Sequence, residues 1–215
     1  ANGEAIYTDN NGDGEISTDD MQFIGTVTPT YTMGLNITLG YKGFDFSMFW
    51  QGIGKRDMWG SSQLTLAGYQ SSDGATAATF VNNFWYEEKD GNGNVTSSNY
   101  NAFYPRAYNL GGGTDSFSMK VCDRYLLNMA YLRLKNVTLG YTLPQHITKK
   151  AKIEKLRFYV ALENFLTFDH LNGMPVDPEV IAGTSALVSS DYNLGRAGVG
   201  TPAFKSASFG VQITL

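Results

Sequence analysis

Residues 30–41 read Thr30-Tyr31-Thr32-Met33-Gly34-Leu35-Asn36-Ile37-Thr38-Leu39-Gly40-Tyr41. Tyr31, Met33, Leu35, Ile37, Leu39 and Tyr41 fall on one side of this stretch, and Thr30, Thr32, Gly34, Asn36, Thr38 and Gly40 on the other. A repeat of two belongs to a strand, because successive side chains leave a pleated backbone on opposite faces. About ten such residues suffice to cross a bilayer at the usual tilt, and an aromatic at each end suits the two interfaces. After the tight Lys42-Gly43 connection, Phe44, Phe46, Met48 and Trp50 alternate with Asp45, Ser47 and Gln51, with Phe49 the exception. The two runs predict a hairpin.

Working outward, the alternation disappears from Gly52 to about Val121 into Gly, Ser, Asn and Asp, with a turn at Asp90-Gly91-Asn92-Gly93 and a flexible Gly111-Gly112-Gly113. Structureless stretches of that length are uncommon inside compact domains and usually functional or disordered. Alternation returns at Val137, Leu139, Tyr141 and Leu143, with Leu132 and Leu134 in the opposite phase. The slip at Lys135-Asn136 predicts a bulge. A short basic connector from Gln145 to Lys155 leads to Leu156, Phe158, Val160 and Leu162, and the last strand runs through Ala207, Phe209, Val211, Ile213 and Leu215. Five strands with connections alternately short and long match the asymmetry of outer-membrane barrels. A soluble β-sandwich alternates as well, so on pattern alone both architectures stay open.

The composition agrees with an all-β chain: 24 Gly, 13 Tyr and 13 Phe among 215 residues, favouring strands and turns. A formal charge of -4 gives no basic footprint for nucleic acid. The single cysteine, Cys122, makes no internal disulfide and reads as a small half-buried residue. No apolar run reaches the ~18 residues of a membrane helix, which leaves membrane strands unaffected. The chain opens at Ala1 in loop-like sequence without a signal peptide, as a processed or partial product would.

Ahead of the first strand, Asp9 to Asp20 fills a calcium-loop template. Asp9, Asn11 and Asp13 put side-chain oxygens at positions 1, 3 and 5, Gly14 permits the turn at 6, Glu15 offers its carbonyl at 7, and Asp20 closes at 12. Ser17 stands at position 9. Oxygen donors in that order suit Ca²⁺. Asp20, shorter than the usual closing Glu, leaves Mg²⁺ as a second candidate ion. With only eight residues before Asp9 and Thr26-Val27-Thr28-Pro29 soon after Asp20, this is a lone metal loop without the flanking helices of an EF-hand. An Asx-rich turn with no ion is the simpler alternative.

Several of these stretches, in this order, resemble the C-terminal part of the SusC/RagA-type TonB-dependent outer-membrane transporters, and the similarity covers essentially the whole chain. Asp9 to Ile16 (DNNGDGEI) resembles the family's DxNGDGxI loop, and Tyr41 to Asp45 its YKGFD hairpin. Tyr104-Pro105-Arg106 is similar to its YPR segment, and Tyr131 to Tyr141 to its YLRLKNITLGY stretch. Asn164 to Phe168 resembles its NLFTF, and Asp177-Pro178-Glu179 its DPE. Ser208 to Leu215 looks like the terminal strand read by barrel-assembly machinery, ending here in Leu rather than an aromatic.

The resemblance implies an all-β fold, the last five strands of an antiparallel transmembrane barrel of about 22 strands with long extracellular loops. It implies an outer-membrane location and partners: the remainder of the barrel and its plug, TonB reached through a preceding N-terminal region, a SusD-like surface lipoprotein, lipid, and an oligosaccharide or peptide substrate. With the last strand descending to the periplasm, residues 1–29 form an extracellular loop with the metal site and 30–52 a hairpin. Residues 53–121 form a long extracellular loop, 122–166 two strands with a periplasmic connector, 167–202 an extracellular loop and 203–215 the terminal strand. Tyr31, Tyr41, Phe44, Trp50, Tyr141 and Phe209 then face lipid or its interfaces, and Asn36, Asp45, Ser47 and Gln212 the lumen.

No catalytic set emerges, and the chain reads as a non-enzyme. Glu87 and Glu88 are adjacent and point apart, whereas glycosidase chemistry needs carboxylates ~5–10 Å apart across a cleft. His146 and His170 sit in opposite connectors, without a nucleophile to serve. The ring-rich set Phe84, Trp85, Tyr86, Tyr100, Phe103, Tyr104 and Tyr108 suits either ligand stacking and a protein interface or packing of the loop on itself. Rival functions are a secreted, calcium-stabilised β-sandwich that binds glycans, and a passive porin segment.

Overall fold

The structure is a computed structural model that describes residues 3–60, 78–81, 83–106, 122–179, 196–197 and 202–215. Ten strands occur among them: β1 (Thr32–Tyr41), β2 (Phe44–Ile53), β3 (Asp57–Gly60), β4 (Tyr86–Lys89), β5 (Val95–Asn99), β6 (Leu126–Asn128), β7 (Tyr131–Thr142), β8 (Lys155–Asp169), β9 (Arg196–Ala197) and β10 (Ser206–Thr214). The only α-helix among the described residues, α1, is the single turn Gln145–Thr148. No helix among them is long and apolar enough to cross a membrane. The chain divides into two compact units, one made of residues 1–27, 57–128 and 171–200, the other of 28–56, 129–170 and 201–215.

The second unit is a five-stranded antiparallel meander in the order β1-β2-β7-β8-β10. All five period-two runs of the sequence therefore lie side by side. Short connections, 42–43 and 143–154, join strands at one end of the sheet, and the chain leaves for the long stretches 54–130 and 170–205 at the other. Register sets the two faces. Leu35 pairs with Trp50, Ile37 with Met48, Leu39 with Phe46 and Tyr41 with Phe44. The same rows continue through Val137, Leu139 and Tyr141, Leu162, Val160 and Phe158, and Ala207, Phe209 and Val211. This apolar face stands bare: Leu35 is 55% exposed, Leu39 60%, Tyr41 69% and Phe209 71%. A sandwich buries such a face against a second sheet, whereas a bilayer-facing sheet leaves it to lipid.

The phase slip expected at Lys135-Asn136 is a real irregularity. Pairing with β2 shifts between Phe49 and Trp50, and pairing with β8 shifts between Leu134 and Asn136. On the β8 side the extra residues are Asn164 and Phe165, and Asn164 takes a left-handed φ of 53°. That bulge restores the alternation, so β8 runs on through Leu166 and Phe168 to Asp169, beyond the strand end near 166 drawn from the sequence. Phe49, the exception in the hairpin pattern, lies on the polar face, where its ring sits beside Gly34.

The first unit is built from short pieces. β3 pairs antiparallel with β6 and parallel with β9, and β4 with β5 forms a hairpin closed by Asp90–Asn94. Its core is Trp59, Phe80 and Tyr125, with Phe84, Tyr104, Cys122, Leu126 and Met174 packed around it. The expectation of a stretch without periodic structure between 53 and 121 is thus incomplete, since it holds β3, β4 and β5. These strands are four or five residues long, too short for a period to be counted. Gly111-Gly112-Gly113 and Tyr108 lie outside the described residues.

Candidate functional site

The Asp9–Asp20 loop is shaped by its own side chains. Asp9 accepts from the N–H groups of Gly12 (2.6 Å) and Gly14 (2.8 Å), Asn11 from that of Asp13 (2.9 Å), and Asp13 from that of Glu15 (2.8 Å). Gly12 and Gly14 take φ values of 77° and 88°, the left-handed turns that glycine adopts freely. Asp20 closes the loop from the far side: its carboxylate accepts from the N–H groups of Asn10 (2.8 Å) and Ser17 (2.8 Å). Ser17 accepts in turn from Asp19 N–H (3.1 Å), a reciprocal cap for the 3₁₀ turn Thr18–Asp20. The Ser17 N–H, helped by those of Asn10 and Asn11, holds the Asp20 carboxyl below the usual carboxylate range.

The donor chemistry fits a hard cation. Asp9, Asn11, Asp13 and Asp20 each offer a side-chain oxygen, and a carboxylate with two or three N–H partners keeps a lone pair to spare. Asp20 is buried, whereas Asn11, Asp13 and Glu15 are exposed. Among the described residues no three acid, histidine or cysteine side chains are gathered closely enough to hold an ion. The loop wraps the right residues without drawing their carboxylates to a point.

The polar face of the five-stranded sheet carries a second constellation. One row crosses all five strands as Gly40, Asp45, Gly140, Tyr159 and Gly210. Arg157, one row nearer the short-connection end, donates from Nε to Asp45 Oδ1 (2.9 Å) and from Nη2 to Oδ2. The pair joins β2 to β8 over β7. It has room because the residue beneath is Gly140, where an added Cβ would lie 2.5 Å from both Asp45 Oδ1 and Arg157 Nη2. The guanidinium also sits 4.9 Å from the Tyr159 ring centre, and that ring covers Gly210. The alternation already put Asp45 on the polar side of β2. Its partner was missed, although Arg157, Tyr159 and Glu163 share one phase of β8.

The ring-rich segment resolves into two groups. Phe84 and Tyr104 join the Phe80–Tyr125 core, with Tyr104 stacked on Tyr125 at 5.8 Å. Trp85 packs against Tyr100 at 5.8 Å, and the Tyr86 and Ser97 hydroxyls are hydrogen-bonded at 3.2 Å. Phe103 lies under the Arg124 guanidinium at 4.7 Å. Packing of the segment on itself accounts for Phe84 and Tyr104. Tyr86, Tyr100 and Phe103 remain surface rings. Glu87 is engaged by Lys89 (2.7 Å) and by the Tyr100 hydroxyl, not by a second carboxylate.

No family model matches the sequence. It is 29% identical over 212 residues to TonB-dependent receptor P3 of Formosa agariphila, an alignment that covers 98% of this chain and 19% of that protein. It is 29% identical over 202 residues to TonB-dependent receptor P26 of the same organism, with coverages of 94% and 17%. Against TonB-dependent receptor SusC of Bacteroides thetaiotaomicron the identity is 26% over 195 residues, with coverages of 85% and 16%. The fold matches solved structures of the RagAB peptide importer. In the "closed-closed" state the TM-score is 0.60 at 23% identity, covering 93% of this chain and 19% of that one, and in the "open-open" state 0.60 at 22%, covering 94% and 19%.

Over nearly its whole length the chain is similar to a segment of the SusC/RagA-type TonB-dependent transporters.

The chain spans less than a fifth of the length of the relatives it matches. For a SusC/RagA-type segment the meander with its bare apolar face is barrel wall. These relatives are receptors and transporters rather than enzymes. The sandwich alternative is not favoured, because the bare face and the barrel neighbours point the same way.

Proposed function

We propose that this chain is the C-terminal barrel section of a SusC-like transporter that imports oligosaccharides or peptides across the outer membrane. In this reading the long-connection end is extracellular and meets a SusD-like lipoprotein, and the short-connection end is periplasmic. A plug in the remainder of the protein is opened by TonB. The residues here contribute wall, lumen surface and external structure. The observation that supports the reading best is the five-strand meander with a bare apolar face and all its long connections at one end. Native mass measurement of the intact particle extracted from outer membranes tests it. The chain is expected in a detergent-dependent assembly about five times its own mass, and a water-soluble monomer would overturn the reading.

We further propose that Asp9, Asn11, Asp13, the Glu15 carbonyl and Asp20 hold Ca²⁺, with Mg²⁺ the competing ion, and that the ion stiffens an extracellular loop. Extracellular calcium modules bind in the ~10⁻⁴–10⁻³ M range. In the assembled transporter, calcium is expected to slow hydrogen exchange across 9–20 with a midpoint in that range. Asp13→Ala should weaken the midpoint by about tenfold or more. An unchanged midpoint removes the assignment.

A further inference from the structure

The chain is acidic overall, yet its charge is unevenly placed. Segments 41–46 and 141–158, which form the short-connection end of the meander, hold six of the sixteen basic residues and two of the twenty acidic ones. One acid, Asp45, is already held by Arg157. This leaves Lys42, Lys149, Lys150, Lys152 and Lys155 exposed, with Glu154 the one other acidic side chain beside them.

These lysines stand on ordered backbone. The Lys42-Gly43 turn accepts a hydrogen bond from Thr142 N–H to Gly43 O (2.8 Å), which ties it to the end of β7. The connector turns through α1 and a 3₁₀ turn, Lys149–Ala151, and is fastened by Ile153 N–H to Thr148 O (3.2 Å) and by Glu154 N–H to Thr214 O (2.9 Å). Thr148 faces inward and is buried, which leaves Lys149 and Lys150 on the outside.

The same end of the apolar face carries aromatics. Tyr41 is 69% exposed and Phe44 53%, Phe44 packs on Tyr141 at 4.5 Å, and Ile147 projects from the connector at 49%. Lys42 Nζ lies 5.2 Å from the Tyr41 ring centre. A band of rings beside a band of lysines is the profile of a bilayer interface whose headgroups are negative, since rings settle at headgroup level and ammonium groups reach phosphates.

We propose that this end binds the phosphate headgroups of anionic phospholipids in the leaflet it faces, through Lys42, Lys149, Lys150 and Lys152. Lys155 shares the polar phase of Arg157 on β8 and is not part of the band. The inference rests on the barrel reading, which supplies the bilayer, and adds a lipid preference that the reading does not contain. Each lysine near an anionic surface contributes roughly fivefold in binding, and salt screening reduces this where the groups are solvated.

The test uses the intact transporter, delipidated in neutral detergent and titrated with phosphatidylglycerol or phosphatidylcholine under native mass spectrometry, beside the triple variant Lys149→Gln, Lys150→Gln, Lys152→Gln. Phosphatidylglycerol is expected to bind at least tenfold more tightly than phosphatidylcholine. The variant should lose about tenfold for phosphatidylglycerol only, and inorganic phosphate should compete poorly. Equal binding of the two lipids, or a variant that matches the parent, overturns the proposal while leaving the barrel in place. Displacement by inorganic phosphate at concentrations equal to the lipid also overturns it, because the site then reads a free anion. A particle that takes up neither lipid nor detergent sinks the barrel reading and this inference together.

Discussion

Gly140 and Gly52 show how much a single missing Cβ decides in this sheet. At Gly140 the obstacle to a side chain is the Asp45–Arg157 pair, whose charged ends can move aside. At Gly52 it is backbone, with the Tyr131 carbonyl oxygen 2.5 Å and the Leu132 Cα 3.3 Å from an added Cβ. Gly52→Ala is therefore expected to destabilise by about 1–3 kcal/mol through overpacking, and Gly140→Ala by about 0.5–1 kcal/mol through loss of a half-exposed ion pair. Thermal unfolding of the detergent-solubilised transporter should rank them in that order. Because both substitutions break one interaction, adding Asp45→Asn to Gly140→Ala should cost less than the sum of the two. Full additivity would mean that Gly140 does not make room for the pair.

At the scale of elements, alternation made the five long strands readable, since each holds one apolar and one polar face over nine or more residues. What it could not show was where a strand survives a slip. Asn164 absorbs the extra length of β8 in a left-handed turn, and its Nδ2 donates to Phe204 O (3.0 Å). Asn tolerates that conformation and a β-branched residue does not. Asn164→Gly should thus cost about 1 kcal/mol through the lost hydrogen bond, and Asn164→Val at least ~1 kcal/mol more, measured by the same unfolding experiment. Of the β4–β5 hairpin only the turn Asp90–Gly93 was legible, because strands of four and five residues are too short for a period to be counted. The metal loop is the converse case: its ligand types were legible, and the structure shows how they fold the backbone without drawing them to one point. In the hairpin, hydrogen bonds from Lys89 and Tyr100 hold the Glu87 carboxyl below its ordinary range, and the same contacts raise the Lys89 ammonium and the Tyr100 phenol. The depressed acid contributes above the ordinary carboxylate value of ~4 and is lost as pH falls through its lowered one. The raised groups contribute below ~10 and are lost as pH climbs through theirs. Hydrogen-exchange protection of 86–99, corrected for intrinsic rates, should be flat between about pH 5 and 9 and fall on either side. Glu87→Gln should shrink the acid limb to the part set by Asp90, whose carboxyl the Asn94 side chain and the Asn94 and Asn92 N–H groups also hold below its ordinary range, and a limb unchanged by the substitution would assign it to other groups.

The whole molecule poses the question of what covers the sheet's edges. β1 pairs only with β2 and β10 only with β8 among the described residues, so each presents one row of backbone N–H and C=O groups without a strand partner there. In hydrocarbon an unmet backbone group costs several kcal/mol, which is why membrane sheets close into barrels. Nine or ten residues of edge on each side therefore set a strong drive toward further strands, and the shortage of charge on the apolar rows removes the usual protection against wrong ones. Expressed without the remainder of the transporter, the chain is expected to need detergent and to run as mixed oligomers joined edge to edge. Co-refolded with the missing portion, it should enter a single species of full-transporter mass, with the amides of β1 and β10 exchanging as slowly as those of β7. Placing Pro at Ile37, in the middle of β1, should block that assembly while the same change in the exposed 9–20 loop should not. A chain that stayed monomeric in water with protected β1 and β10 amides would show that these edges are met within the 215 residues themselves, and the barrel-wall assignment would fail.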